Sequence, residues 1–241
     1  MSYIGNTKIG RMFLGSTEIA KAYLGSTLVF QKGAQPQPQP VFYDYLVFDG
    51  TAYIDTDITP SNNASFLGNF GDETLTGSGA GQRMFIVPTT GSNQTGVIIS
   101  PSSSTASNRH FSVYYGSGAL GGTKRNSWST KRYDIFLTPK RFGYGANVVS
   151  ITKGSYTPNG ALVIGQSYTH SGQAYTGKIK TFYVYDDDAQ NVSSVSGFSS
   201  YTPVATLRPC TYNGEAGLWC VETSKFYGNS AGGGTLSVIN E

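Results

Sequence analysis

Residues 3–30 carry one pattern three times, and a fixed-period repeat must be placed before any other feature of a chain can be read. Tyr3-Ile4-Gly5-Asn6-Thr7-Lys8-Ile9 is followed ten residues later by Phe13-Leu14-Gly15-Ser16-Thr17-Glu18-Ile19. Ten residues further on comes Tyr23-Leu24-Gly25-Ser26-Thr27-Leu28-Val29. Gly followed by Ser or Asn and then Thr is turn chemistry: Gly supplies positive φ, and the short polar side chains bond nearby backbone. At period two, Ile9, Arg11 and Phe13 share one face of a strand, with Gly10, Met12 and Leu14 on the other. Ile19, Lys21 and Tyr23 against Ala20, Ala22 and Leu24 repeat the arrangement. Both faces are largely apolar, and the one basic stem per strand can lie along them with its charge in water. The spacing predicts a three-strand β-meander over residues 1–32.

A meander of this size, with neither Cys nor His, cannot bury two apolar faces alone. Units below about 40 residues rely on disulfides, metals or association. Ile4, Ile9, Phe13, Leu14, Ile19, Tyr23, Leu24 and Val29 are therefore the residues expected to meet a partner, either further copies of the chain or a host surface. Three copies of a meander can close a prism without free strand edges, which points to a homotrimer. The alternative is that the repeats pack on the C-terminal part of their own chain.

The residues after the repeats argue for separation. Residues 33–40 hold Gln35-Pro36-Gln37-Pro38-Gln39-Pro40. Alternating Pro favours polyproline II, so this is a semi-rigid spacer of roughly 20 Å. It divides the repeats from a second domain at residues 41–241, and a spacer has a purpose when its two ends do different work.

Composition fits an all-β chain rich in tight turns: only 13% of the residues are charged, and Gly numbers 31, about twice the usual share. Net charge is +3, with basic pairs only at Lys124-Arg125, Lys131-Arg132 and Lys140-Arg141. That pattern reads as a solvated sheet rim, and nucleic acid is not expected as a partner. Met1-Ser2-Tyr3-Ile4-Gly5 lacks the basic and apolar regions of a signal peptide, and no apolar run approaches a membrane span. Synthesis in a cytoplasm, without membrane insertion, is the expectation. Cys210 and Cys220 flank Asn213-Gly214, a hairpin signal, and are either bridged across two strands or present as two buried thiols.

From Val41 onward the pattern is strand, turn, strand. Tyr45 to Phe48 and Ala52 to Thr56 flank Asp49-Gly50, which predicts a hairpin. Further runs lie at 65–70, 84–87, 97–100, 111–115, 132–137, 147–151, 162–164, 179–185, 205–209 and 218–221. No stretch sustains a period of 3.6. About twelve short strands over about 200 residues predict two packed antiparallel sheets.

Leu46-Val47-Phe48-Asp49-Gly50-Thr51-Ala52-Tyr53-Ile54-Asp55-Thr56 resembles the opening of concanavalin A-like (laminin G-like) jelly rolls found in bacteriophage and prophage proteins. Gly177 to Asp186 resembles their penultimate strand. Arg208-Pro209-Cys210, Gly217-Leu218-Trp219 and Lys225-Phe226-Tyr227-Gly228-Asn229 resemble their closing hairpin. The segment Asp187 to Pro203 is longer than that family usually has. The Gly-Ser-Thr decads are similar to the N-terminal repeats of phage tail and fibre proteins. The resemblance implies a concanavalin A-like jelly-roll β-sandwich on a virion, with residues 1–32 docked on capsid or tail proteins and the outer domain facing host or mucosal glycans. A head or tail fibre made in the bacterial host cytoplasm is the function it implies. The alternatives are a capsid-decorating or tail component with no ligand, and a polysaccharide-cleaving enzyme.

The motifs of catalysis are weak. Gly116-Ser117-Gly118-Ala119-Leu120-Gly121 fits a dinucleotide fingerprint, but no helix opens after it. Gly172 to Lys178 nearly spells a phosphate loop, but Ile179 stands where Ser or Thr would hold magnesium. Glycoside hydrolysis needs two facing carboxylates, and Asp55 with Asp57 is the clear alternating acidic pair. The Glu-x-Asp-x-x-Glu pattern of jelly-roll glucanases is absent, Glu215 and Glu222 stand too far apart for one strand face, and no Gly-x-Ser-x-Gly elbow accompanies His110 and His170. Asp186-Asp187-Asp188 with Asn191 offers oxygens to calcium, although a solvated turn explains them as well. No enzyme activity, cofactor or metal is expected. For a glycan, an aromatic face with hydrogen-bonding neighbours would serve. Tyr114, Tyr115, Arg125, Asn126 and Trp128 offer one, while Trp219 in Leu218-Trp219-Cys220-Val221 reads as core.

Overall fold

The computed structural model describes residues 3–4, 7–8, 13–14, 17–24, 27–31, 38–71, 82–88, 94–102, 105–117, 126–127, 132–154, 157–165, 174–231 and 233–241. The chain divides into two compact units, Met1–Gln39 and Pro40–Glu241.

In the first unit, β1 (Tyr3–Ile4) pairs β2 (Thr7–Lys8), β3 (Phe13–Leu14) pairs β4 (Thr17–Glu18), and β5 (Lys21–Leu24) pairs β6 (Thr27–Gln31). The registers Ile4 to Thr7, Leu14 to Thr17 and Leu24 to Thr27 leave Gly-Asn or Gly-Ser between the paired ends, where the turn chemistry put them. The continuous three-strand meander is not what the described residues form. They form three separate two-stranded ladders. Closing a two-residue loop costs less chain entropy than pairing across a decad, so each repeat folds on itself first. Leu14 is 78% exposed and Tyr23 is 57% exposed, while Ile19 is half-buried. Ile9, and the side chains of Ile4, Phe13, Leu24 and Val29, lie outside the described residues.

The second unit contains β7 (Val41–Phe42), β8 (Tyr45–Asp49), β9 (Ile54–Asp55), β10 (Ser65–Gly71), β11 (Gln82–Pro88) and β12 (Gln94–Ser102). Then come β13 (Thr105–Ser117), β14 (Asn126–Ser127), β15 (Tyr133–Leu137), β16 (Arg141–Tyr144), β17 (Asn147–Ser150) and β18 (Val163–Ile164). It closes with β19 (Thr176–Tyr185), β20 (Ala205–Tyr212), β21 (Glu215–Cys220), β22 (Lys225–Tyr227) and β23 (Leu236–Ile239). Its strands form two antiparallel sheets. The larger runs β17-β16-β15-β10-β19-β20-β21-β22, with β8 beside β19 and β23, and β7 beside β20. The smaller runs β14-β13-β12-β11-β18-β9. The fold is an all-β jelly-roll sandwich.

Aromatic rings join the two sheets. Phe85 of the smaller sheet meets Phe182 at 5.0 Å and Phe66 at 5.2 Å between ring centroids. Phe111 meets Tyr144 at 5.2 Å, Phe142 at 5.5 Å and Tyr133 at 5.8 Å. Each such pair contributes about 0.5–1.5 kcal/mol beyond the area it buries. Where rings crowd, glycine is required: a Cβ on Gly143 would collide with the Phe136 ring.

Two expectations are corrected, and one alternative left open is decided. Asp49-Gly50 does not close a hairpin, because β8 lies in the large sheet and β9 in the small one. The Asp49 carboxylate accepts from the Thr51 N–H (2.8 Å), the Thr51 hydroxyl (2.8 Å), the Ala52 N–H (3.0 Å) and the Thr235 N–H (2.5 Å). With Gly50 at φ +93°, this local cap turns the chain across the sandwich instead of back along it. Second, the alternation in Leu218-Trp219-Cys220 sends Leu218 and Cys220 into the core and leaves Trp219 half-buried on the opposite face. Of the two readings of the cysteines, the buried thiols hold: Cys210 and Cys220 are free and buried. The register sets Cys210 opposite Gly217 and Cys220 opposite Leu207, so the two sulfurs point to opposite faces.

The long segment after β19 folds as two 3-10 helices, Asp187–Asn191 and Val195–Ser200, capped by Asp186 and Ser194. Ala189, Val192 and Phe198 from this segment pack with Phe136 and Tyr185 of the large sheet as a second apolar cluster. No helix among the described residues is long and apolar enough to cross a membrane.

Replacing Asp49 with Ala removes an acceptor from three backbone N–H groups. An Asp49→Ala variant should lose about 2 kcal/mol in urea unfolding with an unchanged m-value. Its midpoint temperature should fall by about 4–8 °C.

Candidate functional site

Of the alternating acidic pair Asp55 and Asp57, the second is engaged in a structural ion pair. Asp57 accepts from the Lys225 ammonium and the Tyr227 hydroxyl, and these two bonds hold its carboxyl below the usual range. Asp55 stands two residues away with its carboxyl raised by burial. One member of the pair is thus locked in a structural ion pair. Asp187 accepts from the Ser61 hydroxyl (2.5 Å) and the Asn63 amide (3.2 Å), which lower its pKa. Asp186 caps the first 3-10 helix, and the side-chain oxygen of Asn191 accepts from the Lys140 ammonium at 2.6 Å. No cluster of three His, Cys, Asp or Glu able to hold a metal occurs among the described residues.

Glu222 has a similar role. Burial alone would raise its pKa, but the Thr206 hydroxyl and N–H, each 2.6 Å away, bring it down. The carboxylate pins the four-residue connection between β21 and β22 onto β20.

The aromatic set read from the sequence divides. Tyr114 and Tyr115 are neighbours on β13, so they point to opposite faces. Tyr115 is fully buried, and its hydroxyl donates to the Ala64 carbonyl at 2.5 Å. It is a core residue and offers no surface to a ligand. Tyr114 is half-buried on the outer face of the smaller sheet. The registers line it up with Gly96, Ile86, Val163 and Asp55 in one row across five strands. On the same face Arg83 is buried and donates to the Gln94 side chain at 2.7 Å, and burial lowers its pKa. Arg125, Trp128 and the side chain of Asn126 lie outside the described residues.

A second aromatic group, not read as a site from the sequence, stands on the outer face of the large sheet. The turn Asn213-Gly214, with φ of +54° and +85°, joins β20 to β21 in the geometry that two-residue hairpins favour. The resulting register sets Arg208 opposite Trp219 and Tyr212 opposite Glu215, and the next ladder sets Trp219 opposite Phe226. Tyr212 lies 5.4 Å from Trp219 and 5.5 Å from Phe226 between ring centroids. Gly217 makes room for this packing, since a Cβ there would stand 2.8 Å from the Phe226 ring. Beside them Phe42 of β7, 38% exposed, lies under the Arg208 guanidinium at 4.2 Å. The result is a half-exposed aromatic platform with a cation at one end and the Glu215 carboxylate at the other.

No protein-family model and no curated protein matches the chain. Solved structures do. A heptameric SAP-like pentraxin from Limulus polyphemus aligns with a TM-score of 0.50 at 11% identity, over 81% of this chain and 94% of that one. A proposed carbohydrate-binding protein from Bacteroides ovatus aligns with a TM-score of 0.49 at 11% identity, over 84% of this chain and 62% of that one. The enzymatically active domain of tailspike protein 2 of bacteriophage CBA120 aligns with a TM-score of 0.44 at 14% identity, over 69% of this chain and 30% of that one. The chain thus spans under two thirds of the Bacteroides protein. At these identities the likeness is one of fold, and the pentraxin carries it: an all-β jelly-roll sandwich.

Asp49, Asp57, Asp187 and Glu222 all have folded pKa values below their unfolded ones. Their stabilisation is present above the unfolded values and is lost as pH falls through the folded ones. Asp55, raised by burial, acts with the opposite sign. Four groups outweigh one, so thermal midpoints should be level from pH 7 to about 5 and drop below about pH 4. Asp57→Asn should shallow that drop.

Proposed function

We propose that this chain is a bacteriophage virion protein, a head or tail fibre whose outer sandwich adheres to host or mucosal glycans. It is not an enzyme. The observation that carries the reading is the platform of Tyr212, Trp219 and Phe226 on a solvent-facing sheet, flanked by Arg208 and Glu215. Sugar rings present C–H-lined faces that suit aromatic faces, and their hydroxyls suit polar groups at the margin. Tyr114, on the outer face of the other sheet, is a second contact in this proposal.

The N-terminal hairpins do the other half of the work. Exposed Leu14 and Tyr23 suit them to docking on capsid or tail proteins, and their short ladders suit them to association as a homotrimer. The polyproline-like spacer then holds the adhesive unit away from the particle surface.

An array of host-surface and mucosal polysaccharides probed with the full chain tests the adhesion. Trp219→Ala should weaken binding at least tenfold, since one aromatic stack is worth about 1–3 kcal/mol. Its melting temperature should change little. Full binding by that variant would overturn the platform as the contact, and binding to no glycan would favour a decorating role without ligand. For the assembly, light scattering should give three times the 25.7 kDa chain mass.

A further inference from the structure

The platform has a charge as well as a face. Arg208 is exposed and sits directly across the ladder from Trp219. Its guanidinium carbon stands 4.2 Å over the centroid of the Phe42 ring, so the ring covers one side of the cation. No carboxylate pairs with it among the described residues. The Glu215 carboxylate belongs to the row of Tyr212, four residues along β20, or about 14 Å at the usual rise. Other cations of this unit have partners: Lys225 in Asp57, Arg132 and Lys178 in Glu241, and Lys140 in Asn191.

A guanidinium is planar and recognises a planar anion through two parallel hydrogen bonds, and carboxylate has that shape. The distance to Glu215 suits a short oligosaccharide laid along the strands better than a single sugar. Building on the glycan-adhesion reading, we infer that the platform selects acidic polysaccharide. A hexuronate unit places its carboxylate on Arg208, and the adjoining pyranose rings stack on Trp219 and Tyr212. Glu215, at the far end, accepts hydroxyls and repels a second carboxylate, which favours an alternating acidic and neutral chain over a continuous polyuronate.

The test uses the full chain and oligosaccharides of an alternating hexuronate polymer, their carboxyl-reduced neutral counterparts, and sulfated neutral oligosaccharides of equal length, compared by calorimetry. The hexuronate form should bind at least tenfold more tightly than its neutral counterpart. Arg208→Gln should bring that ratio to about one, and Arg208→Lys should restore it only in part, because an ammonium lacks the planar fork. Equal binding of acidic and neutral forms, both lost in Trp219→Ala, would overturn the acidic selection and leave adhesion standing. Preference for the sulfate ester over the hexuronate would also overturn it. Binding to none of the three, with array binding to other glycans intact in the same preparation and still dependent on Trp219, would remove the selection while sparing the adhesive reading.

Discussion

A strand has two faces, and a sheet in a sandwich can place only one of them against its partner. The rest of this structure depends on how the large sheet handles the other. On its inner side Phe66, Phe70, Phe182 and Leu207 join the core with Phe85 and Phe111 of the smaller sheet. On its outer side it carries Leu67, Phe136, Tyr183 and Tyr185, an apolar surface as demanding as the first. The two 3-10 helices after β19 exist to cover it, with Phe198 stacked 4.7 Å from Tyr185 and 5.8 Å from Phe136. The cover ends at Tyr201. Beyond it the same sheet face continues through β20, β21 and β22 with Arg208, Trp219, Tyr212 and Phe226, still aromatic, and there only half-buried. A fold that brings a lid to one aromatic region and leaves its neighbour open has placed apolar surface where burial within the chain does not account for it.

Fixing that open surface in shape takes rigid connections, and these are polar. Asp49, Asp57, Asp187 and Glu222 each hold neighbouring segments of the chain together with two or more hydrogen bonds. Glu222 and Asp57 bear directly on the platform's strands. The first holds the connection that leads into β22, and the second holds Lys225 and Tyr227, the residues on either side of Phe226. In a chain with so few charged side chains, these four carboxylates are committed to structure. Arg208, stacked on Phe42 and free of any such duty, stands apart.

Much of the architecture was legible because its signals are local. Gly-Asn and Gly-Ser at ten-residue spacing placed the three N-terminal turns, and Asn213-Gly214 placed the last large hairpin. A two-residue turn at 213–214 sets 212 opposite 215, and therefore 208 opposite 219, which excludes the bridge that the spacing of Cys210 and Cys220 suggests. The platform's central pair was written there, but the apolar run Leu218 to Val221 hid the alternation that turns Trp219 outward. Other features depend on distant partners and left no local trace. Asp49-Gly50 carries a hairpin's signature, yet the carboxylate's bond to Thr235 turns the chain into the other sheet. Strand β16 was missed because Gly143 breaks the apolar pattern, and its glycine is dictated by the Phe136 ring on the neighbouring strand. Strand β23 is recognisable only by its pairing with β8. Tyr114 and Tyr115 looked like one aromatic surface; strand parity alone separates a contact from a core residue.

The N-terminal unit obeys the same two-face constraint with far fewer residues. An isolated two-stranded hairpin is marginal in water. Here three two-stranded ladders succeed one another, with Leu14 and Tyr23 open to solvent. The sandwich solved its second apolar face by growing a helical cover from its own chain, but a unit of under 40 residues followed by a spacer has no such segment to recruit. Its remaining route to stability is a surface that comes from outside the unit. Among the described residues, apolar groups thus stand open to solvent in both units. They differ in kind: single side chains on short ladders in the first, and a packed aromatic group flanked by charge in the second.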